Sequence, residues 1–280
     1  MAQKILKCRK YKFDLSKKKL IMGILNVTPD SFSDGGRFLT LKRAYKRALQ
    51  MEKEGADIID IGGESTRPGS LSVSADEEIR RVLPVIKKLK GKLKIPISID
   101  TTKHKVAEAA LSEGASIVND ISGLRASYKM ALLCAKYKAG LIIMHMKGSS
   151  SSMQRKPVYK DILKEIKSFL KHSADIALNS GIKKENIIID PGIGFGKTLT
   201  HNLKILNNLA YFKQIGYPVL VGLSRKSFIS KLLKVDLENR LVATVAANAL
   251  AIHNGADIIR VHDVKEAAVT VKLATAVRSN

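Results

Sequence analysis

In this 280-residue sequence, polar side chains recur where short apolar runs stop. The clearest case is residues 187–197, Ile-Ile-Ile-Asp-Pro-Gly-Ile-Gly-Phe-Gly-Lys. Its three β-branched residues suit a strand buried on both faces. Asp190 follows at once, and Pro191 then ends any ladder because it has no N–H to give. Gly192, Gly194 and Gly196 allow a tight turn and a close approach to a ligand. A carboxylate held this way accepts two N–H groups from a planar, donor-rich ring, as it does from a guanidinium. Taken alone, the stretch reads equally well as an ordinary strand-to-turn junction with Asp capping a helix.

Seven further runs repeat the device. With the first, the strand candidates are 21–27, 57–63, 96–101, 117–121, 140–146, 186–190, 218–223 and 257–263. At or just past their ends stand Asn26, Thr66 with Arg67 and Pro68, Asp100, Asn119, His145, Asp190, Ser224 to Ser227, and Arg260 with His262. Each residue has a plain reading: His145 as a satisfied structural histidine, Lys226 as a solvated cation, an Asp as a cap. Arg260 and His262 resist it. They lie two apart on a strand and so share a side, and burying two basic groups is costly unless an anion or acid meets them. Grouped by strand, Asp100, Asn119 and Asp190 are suited to a donor-rich heterocycle. Arg67, Arg260 and His262, with Asn26, come from strands that adjoin on closure and form an anion site.

The elements that must position these residues alternate strand and helix. In 40–54 the apolar residues Leu41, Ala44, Tyr45, Ala48 and Leu49 share one helical face, and 161–178 has the same pattern with Ile162, Ile166, Phe169, Leu170 and Ile176. Gly55, Gly114, Gly140, Gly181, Gly216 and Gly255 stand at helix-to-strand junctions, where a left-handed residue is expected. Gly-Ala-Asp occurs at both 55–57 and 255–257. A βα repeat with a period of roughly 30 residues implies parallel strands with right-handed crossovers. Eight units predict an α/β (β/α)₈ TIM barrel over 21–280, preceded by an N-terminal extension, 1–20, with a short strand pair. An extra helix over Ser224–Leu233 is expected after the seventh barrel strand, its positive N-terminus suited to a phosphate or carboxylate. The serine run 149–152 reads as a loop.

Composition narrows the partners. The formal charge is +24, from 49 Lys and Arg against 25 Asp and Glu. The lysines are spread over helical segments, Trp is absent and aromatics are 5%, which is poor material for stacking on bases. No nucleic-acid partner is expected, while a general pull on anionic small molecules is. No apolar run reaches the length of a membrane span, so no membrane partner is expected. The basic N-terminus lacks an apolar signal core. Two distant cysteines suit a reduced, cytoplasmic compartment, with Cys134 packing as a small apolar side chain.

Four segments carry a likeness: Met22 to Gly36, Asp60 to Gly69, Asp190 to Lys197 and Ser224 to Lys226. They resemble, in order, those of the dihydropteroate synthase family, and the likeness spans about 21–270. It implies condensation of 4-aminobenzoate with the diphosphate ester of 6-hydroxymethyl-7,8-dihydropterin, use of Mg²⁺, competition by sulfonamides, and a homodimer through barrel helices. By this likeness Asp100, Asn119, Asp190 and Lys226 would hold the pterin, with Ile121, Met144 and Phe195 as apolar walls. Asn26 would be the metal ligand and reach the diphosphate, which Thr66, Arg67, Arg260 and His262 would bind. Phe32, Pro68, Lys226 and Ser227 would line the 4-aminobenzoate site. Asp100, Lys226, Arg260 and His262 would be catalytic, and loops 28–37 and 64–72 would close over the centre. Two other readings stay open: a corrinoid-type methyltransferase on a similar pterin-binding barrel, and a catalytically silent barrel whose basic surface binds RNA.

Overall fold

The computed structural model describes residues 4–28, 37–65, 70, 72–148, 153, 157–236 and 239–279, with the backbone alone at 37–39 and 279. The chain opens with an antiparallel hairpin, β1 (Ile5–Cys8) and β2 (Tyr11–Asp14). Eight strands follow: β3 (Leu20–Asn26), β4 (Ile58–Gly62), β5 (Ile97–Asp100), β6 (Ile117–Asp120), β7 (Gly140–Met144), β8 (Ile187–Asp190), β9 (Leu220–Gly222) and β10 (Ile258–Val261). All their pairings are parallel, in the order β8-β7-β6-β5-β4-β3-β10-β9. A parallel bridge, Ile189 to Val219, joins the two ends and closes the barrel.

The helices are α1 (Arg37–Glu54), α2 (Ala75–Leu89), α3 (His104–Ser112), α4 (Lys129–Tyr137), α5 (Ile162–Asn179), α6 (Leu199–Asn207), α7 (Leu209–Lys213), α8 (Ser227–Leu233), α9 (Arg240–His253) and α10 (Val264–Ser279). Their starts are written locally. The Ser74 side chain accepts from the Glu77 N–H ahead of α2, and Asp76, Glu77 and Glu78 fill its first turn, against Lys87 and Lys88 in the last. Asp161 caps α5 in the same way.

Two of the apolar clusters build the barrel and its helix layer. Outward strand residues meet the helices in the larger one. Inward residues Met22, Ile58, Ile117, Ile142, Ile188, Leu220 and Ile258 form the smaller. The hairpin supplies Leu6, Cys8 and Leu15 to this second cluster and so plugs the N-terminal end of the barrel. This gives residues 5–15 a packing role that the motifs did not suggest. Burial pushes the Cys8 thiol up to about 12, so it packs as a small neutral side chain.

The repeated Gly-Ala-Asp also finds its reason here. Asp57 accepts from the Ile21 N–H at 3.0 Å and from Lys18, and Asp257 accepts from the Val219 N–H at 3.1 Å and from Lys19 and Lys213. Each carboxylate secures the start of a neighbouring strand. One junction glycine differs from expectation. Before β7 the left-handed residue is Lys138, at φ 52°, and Gly140 already lies in the strand. A Cβ on Gly140 would sit 2.7 Å from Cys8 Sγ, so this glycine makes room for the plug.

Candidate active site

The C-terminal ends of the strands share one rim, and register stacks their inward side chains in layers. Gly62 pairs with Asp100, which pairs with Asn119; one inward step lower, Asp60 pairs with Ser98. Arg260 reaches across from β10. Its Nε donates to Asp60 Oδ2 at 2.6 Å and its terminal nitrogen donates to Asp100 Oδ2 at 2.6 Å. Asn119 Nδ2 donates to the same Asp60 Oδ2 at 3.0 Å. The expected separation of cations from acids therefore does not hold for Arg260, which lies among the carboxylates. A guanidinium turned inward needs counter-charge, and the acids supply it.

Asp60 is the residue that sequence reasoning passed over. It is fully buried. Its signal was present: it is the only charge in Ile58-Ile59-Asp60-Ile61, the same pattern that singled out Arg260. Among the described residues, Asp60 Oδ1 and Asp100 Oδ1 are buried without a hydrogen-bond partner. Native proteins rarely leave such atoms unmet. Burial raises the Asp100 carboxyl to about 7, opposed by Arg260 and assisted by Asp60.

On the other side of the mouth, Asp190 Oδ1 accepts from the Gly192 N–H at 2.7 Å. Burial raises its pKa, with Lys226 as the main opposing charge. Lys226 Nζ donates to the Ile193 carbonyl and lies 4.6 Å from the centre of the Phe195 ring. Burial lowers the Lys226 ammonium to about 8, against the pull of Asp190. Ile121, Met144, Met146 and Met153 form a small apolar cluster with Phe195 packed on it, so the three predicted walls do meet.

The glycine loop is close to backbone rather than open to a ligand at its start. A Cβ on Gly192, which has φ 69°, would collide with the His145 carbonyl oxygen. His145 is structural, as expected. Burial, with Lys197 and Arg125 nearby, pushes its pKa down to about 2. The neutral ring therefore accepts at Nδ1 from Lys197 Nζ at 3.0 Å. Lys197 also donates to the carbonyls of His145 and Phe195, tying the loop to the end of β7.

The turn after β9 is fixed by several bonds. Ser224 Oγ and His262 Nδ1 are 3.0 Å apart. Arg225, at φ 56°, holds Asp263 through two nitrogens, and its carbonyl accepts from Arg240. With Arg225 left-handed and Lys226 extended at φ −70° and ψ 149°, no helix can start before Ser227. The extra helix is thus seven residues, shorter than the predicted 224–233. Asp120 proves to be a turn cap, accepting from the N–H groups of Ser122 and Leu124. Phe32, Thr66, Arg67 and Pro68, and most of loops 28–37 and 64–72, lie outside the described residues. The same holds for the serine run 149–152.

Asn26 ends β3 half-buried. A side chain starting at Gly62 would find Asn26 Oδ1 at 3.7 Å and Asp100 Oδ2 at 3.8 Å, so both oxygens face one spot on the rim. Among the described residues, no three His, Cys, Asp or Glu side chains gather as a metal cage.

Comparison with known proteins agrees with this geometry. Residues 22–262 match the pterin binding enzyme family. Over 265 residues the chain is 48% identical to a dihydropteroate synthase of Synechocystis, covering 94% of this chain and 92% of the relative. A Clostridium difficile dihydropteroate synthase crystallised with pteroic acid superposes with a TM-score of 0.90 at 51% identity, over 96% of this chain and all of that one. A Xanthomonas albilineans dihydropteroate synthase in complex with 7,8-dihydropteroate superposes with a TM-score of 0.89 at 38% identity, over 99% of each chain. A closed parallel barrel whose mouth is lined by Asp60, Asp100, Asn119, Asp190, Lys226 and Arg260, on a sequence this close to those proteins, belongs to the pterin-binding enzymes and, among them, to the dihydropteroate synthases.

Proposed function

We propose that the chain condenses 4-aminobenzoate with the diphosphate ester of 6-hydroxymethyl-7,8-dihydropterin, giving 7,8-dihydropteroate and diphosphate. The observation that carries this reading is the set of buried carboxylates at the mouth, Asp60, Asp100 and Asp190, with the upper one, Asp100, keeping Oδ1 without a partner among the described residues. Such oxygens suit the N–H donors of a pterin. Asp190 and Asn119 take the ring edge, and Ile121, Met144 and Phe195 cover its faces. Arg67, Arg260 and His262 offset the charge that grows on the diphosphate as the C–O bond breaks, and Thr66 binds it through its hydroxyl. Asp100 faces the cation left at the exocyclic methylene. The aryl amine of 4-aminobenzoate then forms the new C–N bond and loses a proton to solvent. No side chain attacks, so no covalent enzyme intermediate forms. Phe32, Pro68, Lys226 and Ser227 line the 4-aminobenzoate site.

Asn26 fits Mg²⁺ as a single neutral oxygen ligand, because this ion is usually held by few protein groups together with substrate phosphates and water. Bound there with the diphosphate, it would offset growing negative charge on the leaving group. Diphosphate release from the pterin ester, with and without 4-aminobenzoate, tests the reaction. Release with formation of dihydropteroate is expected, and a chain releasing none would overturn the reading. A corrinoid-type methyltransferase would leave the ester intact.

A homodimer is part of this reading. Val269, Leu273 and Val277 form an exposed stripe on α10, beside exposed Val242 and Leu250 on α9, which packs against it. A second copy would cover that stripe. Light scattering should show a dimer that Leu273→Lys turns into a monomer; a monomeric parent protein would end the proposal. No described helix is long and apolar enough to cross a membrane. Two buried free cysteines, Cys8 and Cys134, support a reduced, cytoplasmic setting.

A further inference from the structure

We infer that Asp60, though it lies beneath the substrate, is a positioning residue that fixes which atom of the Asn119 amide meets the pterin ring. The inference rests on the functional reading above. Register puts Asp60 one inward step below the level of Asp100 and Asn119, at the floor of the mouth. Its Oδ2 receives Asn119 Nδ2 at 3.0 Å and Arg260 Nε at 2.6 Å.

Asp60 Oδ2 accepts from both of its neighbours, whereas an amide has one face that donates and one that accepts. Asn119 must therefore turn its nitrogen down to Asp60. Its Oδ1 is left as the acceptor for a ring N–H. The opposite rotamer would set oxygen against oxygen in a buried place, with the Asp60 carboxylate unmet. Ser98 does not compete for the amide, since its buried hydroxyl has no partner among the described residues. The second bond from the same oxygen fixes Arg260, so one atom aligns the pterin floor with the diphosphate clamp.

The test uses 6-hydroxymethylpterin, which carries the ring and no diphosphate, titrated by calorimetry into the full chain. Four proteins are compared: the parent, Asp60→Asn, Asn119→Asp, and the double variant carrying both changes. Asp60→Asn can donate to Asn119 and lets its amide turn over, so pterin affinity should fall about tenfold or more, the scale of a charged hydrogen bond. The KM for 4-aminobenzoate should stay within about twofold, because that substrate does not touch the amide. Asn119→Asp alone sets two carboxylates face to face and should bind poorly. The double variant restores a donor–acceptor pair with its polarity reversed, again leaving an oxygen toward the ring. It should bind the pterin more tightly than either single variant, a coupling that a packing role would not produce.

Unchanged pterin affinity in Asp60→Asn overturns the inference. So do purely additive losses in the double variant, or a KM for 4-aminobenzoate that rises as much as pterin binding weakens. Should Asp60→Asn not fold, the comparison of the double variant with Asn119→Asp still decides. A parent protein that neither binds the pterin nor releases diphosphate overturns the functional reading itself. A parent that turns over normally beside an unaffected Asp60→Asn overturns only the role of Asp60.

Discussion

The two ends of the barrel interior differ within single strands. Ile58, Ile117, Ile188 and Ile258 face the plugged end; two residues on, Asp60, Asn119, Asp190 and Arg260 face the mouth. Successive inward positions thus divide the labour. The first packs against Leu6, Cys8 and Leu15 and holds the barrel shut. The second builds the site. The acids at the plugged end, Asp57 and Asp257, are fully engaged by backbone N–H groups and lysines. At the mouth, Asp60 and Asp100 each keep one buried oxygen unmet. A satisfied buried polar group stabilises the fold, while an unsatisfied one costs stability and is ready for a ligand.

From that contrast, changes at the mouth should alter kinetics and changes at the plug should alter melting. The largest effect is expected from Arg260→Ala, with turnover falling roughly 10²–10³-fold as for loss of a preorganised charge clamp. Near-normal turnover would remove Arg260 from the diphosphate site. Asp190→Asn comes next. Pterin affinity measured by calorimetry should fall about tenfold or more, because one acceptor of a charged pair becomes a donor. Unaltered affinity would take Asp190 out of the ring contacts.

The pH profile sharpens the same point. Burial raises Asp100 to about 7 and lowers Lys226 to about 8. Below the first value Asp100 is protonated and cannot face a cation; above the second Lys226 loses its charge. For the pterin ester, kcat/KM should therefore peak between the two. Lys226→Arg should remove the alkaline limb alone. A profile flat from pH 6 to 9 would show that neither group titrates in the free enzyme.

At the plug the effect should be smallest in rate and plain in stability. Gly140→Ala forces a methyl against Cys8 Sγ and should cost about 1–3 kcal/mol by overpacking, read as a lower melting midpoint with kinetics intact. Adding Cys8→Ala should recover most of it. A turnover defect in Gly140→Ala would blur the division between the two ends.

Much of the site was legible because the chemistry sits where apolar runs end. Ile187 to Asp190 or Ile258 to Arg260 announces strand, burial and charge in three or four letters. Asp60 was missed inside a motif read for its later residues, Thr66 to Pro68. Gly140 was misread because a glycine before a strand fits a helix terminus as well as it fits a close side-chain approach. The extra helix was drawn too long because sequence does not reveal that Arg225 takes a left-handed backbone held by Thr244, Arg240 and Asp263.

By itself the sequence determined the eight βα units, the inward and outward alternation and the polar tip of each strand, since periodicity, β-branching and turn residues act over a few neighbours. Tertiary structure alone decided that Arg260 would lie between Asp60 and Asp100, that one oxygen of Asp60 would serve both Asn119 and Arg260, and that residues 5–15 would seal the barrel. Those outcomes depend on register between strands as far apart as Leu20 and Ile258, and pairing over such distances is set by closure of the whole barrel, not by any local run of residues.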